Sequence, residues 1–327
     1  MGGYLANHLQ GEWQHLKLVA FSGGQSNPTY LLRAGPLSYV LRKQPPGRLL
    51  PSAHAVDREY RIIWALSATN VPVPRAIHFC SDAKIIGTPF YIMEHVAGRV
   101  FRDTLLPQLP VGERTAIYDA MNLTLSRLHN VDYAALGLQD FGKPGNYFRR
   151  QIDRWGRQYR DSGGATIPAM EILMQSLPGL APEDDRSSIV HGDFRLENLI
   201  IHPTEPVVVA VIDWELSTLG HPLADLAYNC FYYHLPHSAF GSFGDIELEG
   251  TGIPTEAEYI ERYFDRTGIR PLAPWGFYVA FALFRLAAIL HGVLQRALAG
   301  NAHSPEAMEQ GRLATLCANV AVQALPN

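Results

Sequence analysis

The rhythm of apolar and polar positions changes near residue 98. Before it, short apolar runs broken by turn residues predict strands at 16–21, 29–33 and 38–43, the first two flanking a Ser-Gly-Gly-Gln-Ser-Asn-Pro turn. Residues 52–67 place Val56, Tyr60 and Ile63 at helical spacing, with Ser52 available as the N-cap. The Val-Pro-Val-Pro run at 71–74 cannot continue that helix and leads into strands at 75–80 and 89–96. Beyond residue 98 the spacing is helical, as in 113–130, where Ile117, Met121, Leu125 and Leu128 share one face. The predicted class is α+β in two lobes: a β-rich one over 1–97 with a single helix, and a larger helical one over 98–327, joined near 94–98.

The most hydrophobic stretch, 271–300, is interrupted by Arg285, His291 and Arg296 and has no charge-free run of the ~18–20 residues a membrane crossing needs. It predicts a buried core helix stopped by Gly300 and Asn301, with 301–327 forming a terminal helix over the same lobe. The N-terminus has neither a basic segment nor the apolar core of a secretion signal. Cys80, Cys230 and Cys317 lie far apart, without the paired spacing of a zinc or disulfide framework. A net charge of −4 gives no electrostatic reason to expect a nucleic-acid partner. The expectation is a soluble, cytoplasmic protein with no membrane association.

Candidate chemistry concentrates in 189–215. Residues 199–202 and 207–212 are β-rich runs separated by a Pro-containing turn, which predicts a hairpin. Asn198 stands just before its first strand and Asp213 just after its second, so the two meet at one end, and Asp193 precedes Asn198 by five residues. Two carboxylates and an amide, with no thiolate, suit a hard cation such as Mg²⁺, which keeps waters and bridges phosphates. No P-loop, nucleophile elbow or dinucleotide fingerprint occurs.

His191-Gly192-Asp193 with Asn198, followed by Ile212-Asp213-Trp214 and Asp225-Leu226-Ala227, resembles the aminoglycoside phosphotransferase and choline kinase group, which shares the protein-kinase-like fold. The resemblance implies ATP and Mg²⁺ as cofactors and a small-molecule hydroxyl as acceptor. Asp193 then takes the place of the catalytic carboxylate, and Asn198 and Asp213 those of the metal ligands. Ser22, Gly23, Gly24, Gln25, Ser26 and Asn27 resemble the phosphate-covering loop. Strand phase gives Arg42 the phosphate-contacting position and turns Lys43 to the other face, with Glu59 as the ion-pair partner. Adenine would meet the backbone near Glu94 and Val96. Glu215 could add a metal contact, whereas Asp225 is expected to brace the catalytic loop.

Substrate choice turns on 147–164. Phe148, Ile152, Trp155 and Tyr159 fall in one sector of a helical wheel, and Arg150, Arg154 and Arg157 on the opposite side, flanked by Arg149 and Arg160. An arginine face suits phosphate or carboxylate better than a polycationic aminoglycoside or choline. The segments around Ser22, Arg42, Glu59 and Arg150 most resemble the kinase-like domains fused to some acyl-CoA dehydrogenases, which implies a hydroxyacyl-CoA acceptor and contact with a CoA thioester. The alternatives are a cationic substrate of the aminoglycoside or choline type and a non-catalytic nucleotide-binding protein.

Overall fold

The computed structural model describes residues 1–21, 27–47, 55–300 and 307–326, which fall into two units. One comprises Met1–Val100 with Glu197–Ser217, the other Phe101–Leu196 with Thr218–Asn327. The expected Ser52 cap lies outside the described residues.

The first unit opens with helix α1 (Gly2–Ala6), then strands β1 (Lys17–Ala20), β2 (Thr29–Ala34) and β3 (Leu37–Lys43), helix α2 (Val56–Leu66), and strands β4 (Ala76–Cys80) and β5 (Phe90–Glu94). The strands form an antiparallel sheet in the order β1-β2-β3-β5-β4. Alternation sends Leu32, Leu41, Phe90 and Ile92 into a core with Leu5 and Trp13. The α1 helix, which no apolar periodicity announced, is held there by the fully buried Leu5.

The second unit runs through α3 (Val111–His129), α4 (Tyr147–Asp161), α5 (Pro168–Leu180) and strand β6 (Ser188–Val190). Beyond Leu196 the chain returns to the first unit as the hairpin β7 (Leu199–Ile201) and β8 (Val208–Val211). It then re-enters the second unit through β9 (Thr218–Gly220), which pairs with β6, followed by α6 (Pro222–Asn229), α7 (Glu256–Thr267), α8 (Trp275–Leu298), α9 (Ala307–Arg312) and α10 (Ala314–Gln323). The sequence placed the hairpin with the helical lobe. The structure groups it with the sheet, because the Ile201 N–H and carbonyl both bond Arg99 and the Val211 N–H donates to the Pro72 carbonyl. Gly98 permits this approach, since a Cβ there would stand 2.5 Å from the Ile201 carbonyl oxygen.

By length and composition α8 could cross a membrane, but 83% of its most apolar window is buried inside the protein. It is the core helix of its unit, with Phe277, Phe281, Phe284 and Leu283 almost wholly enclosed.

Candidate active site

In the first unit the hairpin brings Asn198 and Asp213 to its open end. Leu199 pairs with Val211, and the next pair outward is closed by the Ile212 N–H donating to the Asn198 carbonyl at 2.9 Å. Asp213 follows in the left-handed region (φ 67°, ψ 59°), which turns the chain out of the strand. Trp214 fixes this turn: it is buried, and its indole N–H donates to the Val211 carbonyl at 2.9 Å. The Asn198 amide is buried while the Asp213 carboxylate stays a third exposed. Among the described residues no three His, Cys, Asp or Glu side chains gather as a metal centre. The Asn198 amide and the Asp213 carboxylate offer oxygen donors at this hairpin end, the donor type suited to a hard cation that keeps most of its waters.

Arg42 is the hub of this unit. Its Nη2 donates to Asp213 Oδ1 at 2.6 Å and to Glu215 Oε2 at 3.3 Å. Its Nε lies 2.9 Å from Glu59 Oε2, at ion-pair distance but off the hydrogen-bond axis. Glu59, 1% exposed, also accepts from Asn27 Nδ2 at 2.5 Å and from the Tyr91 hydroxyl at 3.1 Å. Burial opposes the Arg42 charge, but Asp213, Glu59 and Glu215 outweigh it and raise the pKa. Burial likewise pushes the Glu59 carboxyl up, against Arg42, Tyr91 and Asn27, which favour its ionised form. Strand phase thus pairs Arg42, not Lys43, with Glu59. Asn27, expected in the phosphate-covering loop, is 1% exposed and turns its side-chain amide to Glu59. Ser22, Gly23, Gly24, Gln25 and Ser26 lie outside the described residues. At the end of β5 the Glu94 N–H donates to the Arg75 carbonyl at 3.0 Å, and Val96 follows half-buried.

The second unit carries Asp193. Asp225 Oδ2 accepts the His191 N–H at 2.6 Å and its Oδ1 the Gly192 N–H at 2.8 Å, so Asp225 braces the loop. Burial works against the Asp225 charge, but hydrogen bonding and charge from His129, with His191 and Gly192, hold its pKa down. His191 is fully buried, and its Nδ1 accepts the Asp193 N–H at 3.2 Å, a structural role. The Tyr228 hydroxyl donates to Asp193 Oδ1 at 2.8 Å, and Arg285 donates to the Gly192 carbonyl at 2.5 Å.

On α4 the sector Phe148, Ile152, Trp155 and Tyr159 is buried, and Arg154 and Arg157 are exposed. Arg150 is already engaged with the Lys143 and Pro144 carbonyls, and Arg160 with Glu171 at 3.4 Å. A cavity of about 430 Å³ at the start of α4 is lined by Arg149 but also by Glu183, Asp184 and Asp185, so it does not favour anions.

Sequence reasoning missed Tyr91, Tyr228 and Arg195. Their only signals were a tyrosine within β5, a tyrosine three residues after Asp225, and a cation two residues after Asp193.

A family model described as a phosphotransferase enzyme family matches residues 17–272. Acyl-CoA dehydrogenase family member 10 of Mus musculus is 49% identical over 98% of this chain, which spans only 30% of that relative's length. A crystal structure of a provisionally assigned aminoglycoside phosphotransferase from Ralstonia eutropha is 44% identical, with a TM-score of 0.89 and 99% and 96% of the two chains covered. A thermostable aminoglycoside phosphotransferase APH(4)-Ia mutant, solved with ADP and hygromycin B, gives a TM-score of 0.66 at 16% identity over 99% and 98% of the chains. At that identity the likeness is one of fold, the protein-kinase-like one.

Proposed function

Because this chain belongs to the phosphotransferase enzyme family, we propose that it transfers the γ-phosphoryl group of ATP to a hydroxyl of a small molecule. The observation that carries this reading is the Arg42 hub, which holds Glu59 on one side and Asp213 on the other, with Asn198 across the same hairpin end. Arg42 would exchange its carboxylate contacts for a nucleotide phosphate, a geometry to which its planar fork is suited. Asn198 and Asp213 would hold Mg²⁺, which neutralises charge on the β- and γ-phosphates when bound. With its amide bonded to Arg75, Glu94 offers adenine its carbonyl, and Val96 its backbone.

Asp193 would accept the substrate hydroxyl proton as that oxygen bonds to the γ-phosphorus and the bond to ADP breaks. The transition state is loose, so these residues act chiefly by position and charge. The intact Asp193, Asn198 and Asp213 favour turnover over a non-catalytic nucleotide-binding role.

For the acceptor we favour a hydroxyacyl-CoA. Support comes from the name of the mouse relative and from the exposed Arg154 and Arg157. The test is ADP release with ATP and Mg²⁺ over a panel of a 4-hydroxyacyl-CoA, its free acid, choline and kanamycin. Turnover with the thioester alone supports both parts of the reading. Turnover with choline or kanamycin keeps the kinase and discards the acceptor. No turnover with any member while ATP binds favours the non-catalytic alternative.

A further inference from the structure

Asp193 is held by groups that phosphoryl transfer itself does not require. The Tyr228 hydroxyl on α6 reaches Asp193 Oδ1 at 2.8 Å, and Arg195 Nε stands 3.4 Å from the same oxygen. Burial, followed by the Asp193 charge, pushes the Tyr228 phenol well above its ordinary range, so it remains a donor. Its ring is in turn fixed by Arg285 of α8. The Arg285 guanidinium carbon is 5.1 Å from the Tyr228 ring centroid and 5.5 Å from that of Trp155 on α4. Arg285 is itself only 6% exposed and donates to the Gly192 carbonyl, while Asp225 takes the Gly192 N–H. Gly192 sits at φ 83°, a conformation that a side chain would strain. Gly192 is therefore held at its N–H and at its carbonyl, and Asp193 Oδ1 takes the Tyr228 hydroxyl.

We propose that Tyr228 is a positioning residue that orients the Asp193 carboxylate, and that Arg285, seated between Trp155 and Tyr228, holds the phenol in register. The proposal rests on reading Asp193 as the base. A hydroxyl that fixes one carboxylate oxygen fixes the direction of the other, and a displacement of about 1 Å at a reacting group costs on the order of 10²-fold in rate. A buried arginine between two rings gives the phenol one stable orientation. The charged and titratable groups facing Asp193 and Tyr228 are Arg195, Arg285 and, along the loop, His191.

Tyr228→Phe keeps the ring and its stacking on Arg285 and removes only the donor. The expected result is a kcat lower by about 10- to 100-fold, with KM for ATP within about twofold. Arg285→Lys should lower kcat in the same direction. The ¹³C chemical shift of the Asp193 carboxyl group in the parent and in Tyr228→Phe reads the same bond without turnover. If the parent turns over and Tyr228→Phe matches it in kcat and in the Asp193 carboxyl shift, the positioning role is wrong. If kcat and KM for ATP worsen together with a collapsed melting temperature, the hydroxyl is merely structural and the proposal also fails. If the parent transfers no phosphoryl group yet the Asp193 carboxyl shift differs in Tyr228→Phe, the reading of Asp193 as a base falls while the contact stands.

Discussion

Arg42 on β3 and Asp213 at the hairpin end, 171 residues apart in the chain, meet through Nη2 and Oδ1 at 2.6 Å. The same guanidinium is the cation for Glu59, whose side chain is 1% exposed. Removing one partner of such a pair leaves an uncompensated buried charge. Arg42→Ala is expected to destabilise the fold by about 3–5 kcal/mol, whereas Lys43→Ala should change stability by no more than about 0.5 kcal/mol. Urea unfolding of both variants separates the two positions, and equal losses would remove Arg42 from its central place.

The base assignment makes a separate prediction. Asp193→Asn preserves shape and removes the proton acceptor, so kcat should fall by about 10²–10⁴. ATP affinity measured by titration calorimetry should stay close to the parent value. An unchanged kcat would exclude Asp193 from proton transfer.

Asp213→Ala should abolish the part of nucleotide affinity that depends on Mg²⁺. Titrating ATP with and without the metal isolates that part, because the contacts proposed for Arg42 and for the backbone near Glu94 do not depend on it. Affinity that still rises on adding Mg²⁺ would contradict the ligand assignment.

Much of this arrangement is local and could be read along the chain. Asn198 and Asp213 flank two short strands, so their meeting follows from antiparallel pairing alone, and Arg42 follows from the alternation of β3. What stayed hidden depends on distant partners. Glu197–Ser217 groups with the sheet because Pro72, Gly98 and Arg99 receive it, and no pattern inside the hairpin announces those contacts. Tyr228 reads as one more aromatic on a buried helix, and only the structure shows its hydroxyl on Asp193. Cation density likewise overstated the α4 face, since Arg150 is spent on the carbonyls that precede its own helix.

Stability should weaken in mild acid through His221. This fully buried ring sets Nε2 2.9 Å from Asp184 Oδ2, at ion-pair distance but off the hydrogen-bond axis, while Nδ1 caps α6 by accepting the Leu223 N–H. Burial, against the attraction of Asp184, lowers its pKa in the folded state. Between that lowered value and the unfolded value of about 6.5, the unfolded chain binds a proton that the folded one does not. Stability is therefore complete above about pH 6.5 and declines below it, by at most about 1.4 kcal/mol per pH unit from this one group. His221→Asn keeps a capping acceptor and should flatten the decline in melting temperature between pH 7 and 5. A slope identical to the parent's would assign the acid sensitivity elsewhere.

The proposed hydroxyacyl-CoA acceptor makes its own prediction about the arginine face of α4. Arg154 and Arg157 are exposed, so each bond to a CoA phosphate is worth less than the ~1.5–3 kcal/mol of an enclosed charge-assisted one, and salt screens it further. The double variant Arg154→Gln, Arg157→Gln should raise KM for a hydroxyacyl-CoA by about 2- to 30-fold. KM for ATP and the melting temperature should hold, because the buried side of the helix is untouched. Arg150 is left in place, since it ties the start of α4 to Lys143 and Pro144. A pantetheine thioester carrying the same acyl chain lacks the nucleotide phosphates, and its KM should not respond to the substitutions. If the double variant turns over the CoA and pantetheine thioesters with parental KM values, this face does not read the CoA phosphates. The cavity bordered by Glu183 and Asp185 would then be the place to test cationic acceptors.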